Sequence, residues 1–246
     1  MTNAITPMRH RRVSGRILYT SHKPEYLGQQ RGQEWFTFTH HSDGRVSYRA
    51  HCEIWHPEPT VLRDVIYSMD PDGRPLDLHV RLTVGDAFMG SGWFRFGDGW
   101  IECDSYGPGI GRLSQRIEPT PFDGVGTHPV VGDAYLTRCM DVSKGPHRRR
   151  IVTYLPSPDH RGASPPMIAR VEIGLEYVGD ETVTVGAGTF AAHHFRFVDD
   201  EGPGMGGNQH PVYDMWVTAD GDHLLLKGGV GGYMQTWYEL VSLERS

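Results

Sequence analysis

The chain has 246 residues, 38% hydrophobic and 22% charged, with a formal net charge of −6. That length can bury a sizeable core, and the acidic balance excludes a general nucleic-acid binder, which would carry a broad basic excess. No run approaches the ~18 apolar residues of a membrane span, and the start does not read as a secretory signal. Three scattered cysteines, Cys52, Cys103 and Cys139, make neither a disulfide framework nor a metal knuckle. A cytoplasmic protein with reduced thiols is the expectation.

Taken in chain order, residues 1–14 read as a flexible leader and residues 15–246 as one domain. From Gly15 onward, short β-like runs alternate with turns. Glu34 to His41 is aromatic and Thr-rich, and Arg45 to Trp55 follows Asp43-Gly44. Asp-Gly recurs at Asp72-Gly73 and Asp98-Gly99. Such pairs predict type I′ hairpin turns, which need positive φ at both central residues. Thr60 offers a helix cap for Val61, Val65 and Met69, but Val65-Ile66-Tyr67 and the turn directly after favour a strand over Val61–Met69. Pro75–Val84, Trp93–Phe96 and Trp100–Ser105 continue the strands. Residues 106–130 and 156–166 carry Gly, Pro and Thr without clear periodicity, and each reads as a lid or a crossing loop.

The β pattern returns at Met167 to Val178, with Val171, Ile173, Leu175 and Tyr177 on one face. It continues through Thr182–Val185, Gly188–Val198, Val212–Thr218, His223–Lys227 and Tyr233–Leu243, with a flexible loop at Gly202 to Gly207. Many short strands and very little helix predict an all-β fold, either an antiparallel lipocalin-like (calycin) barrel or a closed sandwich. A single barrel is favoured because neither half alone would close its sheet edges.

The run Glu176-Tyr177-Val178-Gly179-Asp180-Glu181-Thr182-Val183-Thr184-Val185 leads into Gly186-Ala187-Gly188-Thr189-Phe190-Ala191, followed later by Met215-Trp216 and a closing Tyr238-Glu239-Leu240. This resembles a group of uncharacterised bacterial β-barrel domains of lipocalin-like or lipoprotein-carrier-like type, mainly over the C-terminal half. Gly186 stands where that group has proline, and the group is often exported. The resemblance implies a barrel with an apolar cup and carries no catalytic residue across. The turn has its own physical reading: Gly186 and Gly188 supply backbone freedom, and Phe190 drops into the core.

Ionisable residues recur at every second position of several strands. Arg49, His51 and Glu53 share one face, as do Asp77, His79 and Arg81, and Glu172, Glu176, His194 and Arg196 continue the pattern. Successive strand residues point to opposite faces, so these groups meet either solvent, in cross-strand ion pairs, or an internal pocket. With Trp55, Trp93 and Trp216 beside them, the pocket reading makes Arg49, Arg81, Trp55, Trp93, His194 and Trp216 ligand-binding residues for a small apolar or amphipathic molecule. The alternative on the same scaffold is a cofactor-independent acid–base lyase, isomerase or hydratase. His51 or His79 would then be the acid or base, Glu53 or Asp77 its orienter, and Arg49 or Arg81 the anion stabiliser. A structural or assembly protein is the third reading. No metal motif, nucleophile elbow or phosphate loop is present, so neither metal nor organic cofactor is expected. A homodimer remains open, and Cys52 and Cys103 read as buried, inert thiols.

Overall fold

A computed structural model of the chain describes residues 10–201, 204 and 209–246. The first half is a meander of β1 (Arg11–Ser21), β2 (Gln30–His40), β3 (Val46–Ile54), β4 (Val61–Met69), β5 (Pro75–Val84), β6 (Ala87–Gly97), β7 (Trp100–Gly107) and β8 (Gly111–Ile117). Next come the two-residue β9 (Gly124–Val125) and the one α-helix of the described residues, α1 (Val130–Leu136). The second half is β10 (His147–Leu155), β11 (Ala169–Val185), β12 (Gly188–Val198), β13 (Tyr213–Thr218), β14 (Leu225–Val230) and β15 (Thr236–Arg245). β1 therefore takes in Arg11–Ser14, which the sequence assigned to the leader. Residues 1–9 lie outside the described residues, as does the Gly202–Gly207 loop apart from Gly204.

All fifteen strands belong to one sheet. Each strand from β1 to β8 pairs antiparallel with the next, and so does each from β10 to β15. The halves join where β1 pairs with β15, from Val13↔Arg245 to Ser21↔Thr236. The sheet does not close, because no ladder joins β8 to the β9–β10 edge. Side chains bridge this seam instead. Gln115 of β8 accepts a 2.9 Å hydrogen bond from the Ile168 amide, and Thr120 accepts one from Arg170. Across the same gap Pro166 lies so close to Gly90 and Gly92 of β6 that a Cβ at either position would clash with it.

The lumen is filled from the middle of the chain. Residues 125–140 run through the interior, and only their first part, up to residue 130, belongs to the stretch that the sequence reads as lid or crossing loop. α1 is only seven residues long and too short to be stable alone. Its Val130, Val131, Ala134, Tyr135 and Leu136 are buried. Tyr135 packs on Phe38 of β2, the Tyr48 hydroxyl of β3 meets Thr127 just before the helix, and α1 also touches β13 and β14. The inward phase of the strands supplies the rest of the core, including Ile17, Phe36, Phe38, Tyr48, Val65, Leu78, Leu175, Phe195 and Met215. Burying each such side chain contributes roughly 1.5–3 kcal/mol.

The hairpin sites are as expected but the turn type is not. Gly44, Gly73 and Gly99 have positive φ (87°, 82° and 74°), whereas their aspartates do not. Aspartate side chains accept turn amides instead: Asp43 takes that of Arg45, and Asp70, two residues before Asp72, takes those of Asp72 and Arg74. The turn with both central residues at positive φ is Gly85-Asp86 (57° and 64°), between β5 and β6. In the 185–188 turn only Gly188 uses the positive region (φ 136°), and Phe190 is half-buried against the core. Val61–Met69 is a strand, as the sequence predicted.

Candidate functional site

The outward phase carries the residues that the sequence offered as a site. In β3 the buried positions are Tyr48, Ala50 and Cys52, which sends Arg49, His51 and Glu53 outward. In β5 the buried positions are Leu78, Val80 and Leu82, so Asp77, His79 and Arg81 point outward too. The cross-strand neighbours of these residues satisfy most of them. His51 Nδ1 lies 2.7 Å from Asp64 and its Nε2 3.5 Å from Glu53, His79 stacks on Trp93, and Arg81 lies over Phe88. His79, Arg81 and Trp93 share an open groove on the outer face with Asp64 and Tyr106. Asp77 borders a second depression with Trp93 and Arg95.

His194 and Trp216 are also on the outer face, in an aromatic ladder. Their rings stack at 4.3 Å, Trp216 stacks on Trp237, Lys227 lies over Trp216, and His194 contacts both Glu181 and Asp214. Trp55, just past β3, is exposed. The enclosed pocket that was to unite His51 and His79 is thus not built from these residues. Strand alternation turns all ten away from the lumen, and solvent-side pairing accounts for their contacts. Glu172 and Glu176, outward as well, pair with Arg150, Arg170 and Arg196.

The interior holds a different set. Glu34 (0% exposed) and Arg63 (2% exposed) occupy the apolar phase of β2 and β4, between Gly32 and Phe36 and between Val61 and Val65. Burial pushes the Glu34 carboxyl above its ordinary value, opposed by four donors. Tyr19 Oη donates to it at 2.6 Å, the Val130 and Val131 amides at 2.8 and 3.1 Å, and Cys52 Sγ at 3.4 Å. This carboxylate fastens the start of α1 to the barrel wall. Cys52, as expected, is a buried thiol, held far above its ordinary pKa by burial.

Arg63 bounds a cavity of about 150 Å³ inside the barrel. Its apolar wall includes Val130, Leu136, Val171, Ile173, Phe197 and Met234, and its polar wall Arg31, Arg63, Arg161, His128, Asp133 and Tyr213. The segment 156–168 covers one side. Asp159 organises it by accepting from the Ser157 and Ser164 hydroxyls and the Ala163 and Ser164 amides. Burial raises the Asp159 pKa, but these bonds outweigh it and hold the carboxyl at about 2. Gly162, at φ +59°, lets this segment press on Arg63 and His128, since a Cβ there would stand 2.6 Å from Arg63 Nη2.

Electrostatics at the cavity are one-sided. Burial, then the Arg63 charge, drives His128 down to about 3, and burial drives His210 to about 4, so both imidazoles are neutral at pH 7. Burial, then Glu34, pushes Asp133 far above the ordinary carboxyl range. Among the polar atoms of this wall, His128 Nε2, the Tyr213 hydroxyl, Arg31 Nε and Arg161 Nε have no hydrogen-bond partner. His128 also holds a left-handed backbone (φ 72°), a conformation uncommon outside glycine. Among the described residues no group of three or more His, Cys, Asp or Glu converges as metal ligands would, and no helix is long and apolar enough to cross a membrane.

None of the ten sequence-proposed residues lines this cavity. The signal that would have found it is a charge in the wrong phase, namely Glu34 in Gly-x-Glu-x-Phe-x-Phe and Arg63 in Val-x-Arg-x-Val-x-Tyr.

No protein-family description and no curated protein matches the chain. Among solved structures, it is similar to a β-barrel-like protein of a domain of unknown function (DUF1849) from Brucella abortus. The TM-score is 0.56 at 14% identity, over 99% of this chain and 100% of that one. A protein with a YmcC-like fold from Bacteroides fragilis aligns over 97% of both chains at 10% identity and a TM-score of 0.31. The chain thus shares its barrel-like fold with an uncharacterised bacterial protein from Brucella abortus.

Proposed function

We propose that the barrel binds a small amphipathic molecule in its lumen cavity. The observation that carries this reading is the division of one cavity wall into an aliphatic side and a side of unsatisfied polar groups. A protein interior ordinarily packs tightly and pairs its buried polar atoms. Apolar walls with a few convergent polar groups are the usual make-up of a small-molecule site. Its volume of about 150 Å³ matches that of an engineered cavity that takes up benzene, so the enclosed part of the ligand is of that order.

The test uses benzyl alcohol as a size-matched probe. It should raise the melting temperature of the native protein in a saturable way, and Val171→Phe, which fills the cavity from β11, should abolish that shift while the fold is retained. No shift with benzyl alcohol, and no small molecule released from the natively purified protein in mass spectrometry, would refute the reading.

A further inference from the structure

Three arginines meet the lumen cavity, and they differ from the ion-paired arginines of the outer face. On the outer face Arg95, Arg116, Arg148, Arg150, Arg170 and Arg196 each touch a carboxylate. Arg31, Arg63 and Arg161 touch none among the described residues. They donate to neutral oxygens only: Arg31 to the Thr236 hydroxyl, Arg63 to the carbonyls of Arg161 and Gly162, and Arg161 to those of Pro57 and Pro59. Arg31 Nε and Arg161 Nε have no partner at all.

Arg161 senses the other two guanidiniums. Burial and then Arg31 lower its pKa, Asp159 opposes them, and Arg63 acts in the lowering direction. The nearby acids offset this charge only in part. Asp133 is pushed toward its protonated form, Asp159 spends its oxygens on its own loop, and Glu34 on Tyr19 and the start of α1. Bringing three guanidiniums out of water with no carboxylate in contact is costly, and a planar carboxylate is the group their fork geometry fits best. Tyr213 adds an independent sign of a ligand. It is 4% exposed, lines the same cavity, and its hydroxyl has no partner.

We propose that the lumen site selects a small amphipathic carboxylate, with its charged oxygens held by Arg31, Arg63 and Arg161 and its apolar body against Val171, Ile173 and Leu136. This rests on the cavity-binding reading above and adds the charge of the ligand. Arg63 enters from the barrel wall and Arg161 from the covering segment, so a carboxylate between them also ties that segment down.

The experiment compares benzoate with benzyl alcohol by calorimetric titration of the full chain, with acetate and inorganic phosphate as bare-anion controls. Benzoate should bind roughly ten- to a hundredfold more tightly than benzyl alcohol, and the bare anions more weakly than benzoate. Arg161→Gln and Arg31→Gln should each erase most of that preference while leaving the affinity for benzyl alcohol in place, a split that a merely loosened loop would not produce. Equal binding of benzoate and benzyl alcohol, or a preference that survives both substitutions, overturns the carboxylate assignment and leaves the cavity reading standing. Acetate or phosphate binding as tightly as benzoate overturns the amphipathic class. Binding of neither aromatic probe overturns both readings together.

Discussion

The two faces of this sheet carry the same side-chain types under opposite rules. Outside, Arg, His, Asp and Glu stand in cross-strand rows, and most meet an opposite charge or an aromatic ring, as in His51 with Asp64 or Arg95 with Trp93 and Glu102. Inside, Glu34 is bound by four donors, while Arg31, Arg63 and Arg161 find only neutral oxygens. The outer pattern is dense and cheap, since exposed ion pairs contribute about 0–1 kcal/mol each. The inner pattern is sparse and expensive, which is why it marks the site.

That contrast can be broken or sharpened by experiment. The largest effect is expected at Glu34. Glu34→Ala strands the Tyr19 hydroxyl and two helix amides in the core and should cost about 3–5 kcal/mol in urea unfolding. Glu53→Ala on the outer face should cost less than about 1 kcal/mol. Comparable losses at the two positions would erase the distinction between the faces.

The next effect is on acid stability. His128 and His210 have folded pKa values of about 3 and about 4, below the ordinary 6.5. A depressed histidine means that the unfolded chain binds protons first. The stability these groups provide is complete above about pH 6.5 and is lost as pH falls from there toward their folded values. Between pH 6.5 and 4 the loss should reach about 2–3 kcal/mol for each histidine, and His128→Asn with His210→Gln should flatten the slope. The outer Glu53 is depressed by its bond to Gln33 and then by His51, so its contribution is lost only below about pH 4.5. A stability curve that stays flat from pH 6.5 to 4.5 in the native protein contradicts this division. The smallest effect is at Trp93, which stacks on His79 and lies under Arg95 at 4.6 Å. Trp93→Ala should cost about 0.5–1 kcal/mol and leave benzyl alcohol binding unchanged.

Much of the fold was legible because its signals are local. Alternation separates Tyr48, Ala50 and Cys52 from Arg49, His51 and Glu53 whichever way the strand faces, and Asp-Gly marks the hairpins even though the glycine alone takes positive φ. The direction of the charged face is a different matter, because it depends on what fills the lumen. The filler centres on α1, a single buried stretch of seven residues with no side-chain cap. The candidate site was missed for a related reason. Charges are plentiful in the outward phase, whereas Glu34 and Arg63 are isolated charges in the phase where aliphatic and aromatic residues prevail.

The pairing of β1 with β15 bears on how the protein is made. The strands β1 to β8 can assemble hairpin by hairpin as they are synthesised, but the free edge of β1 waits for the last strand to arrive. Until then its backbone donors and acceptors are open to any other extended chain, and the closing contact spans nearly the whole sequence, which slows it. Nascent chains stalled before Thr236 should therefore be the form most prone to aggregate.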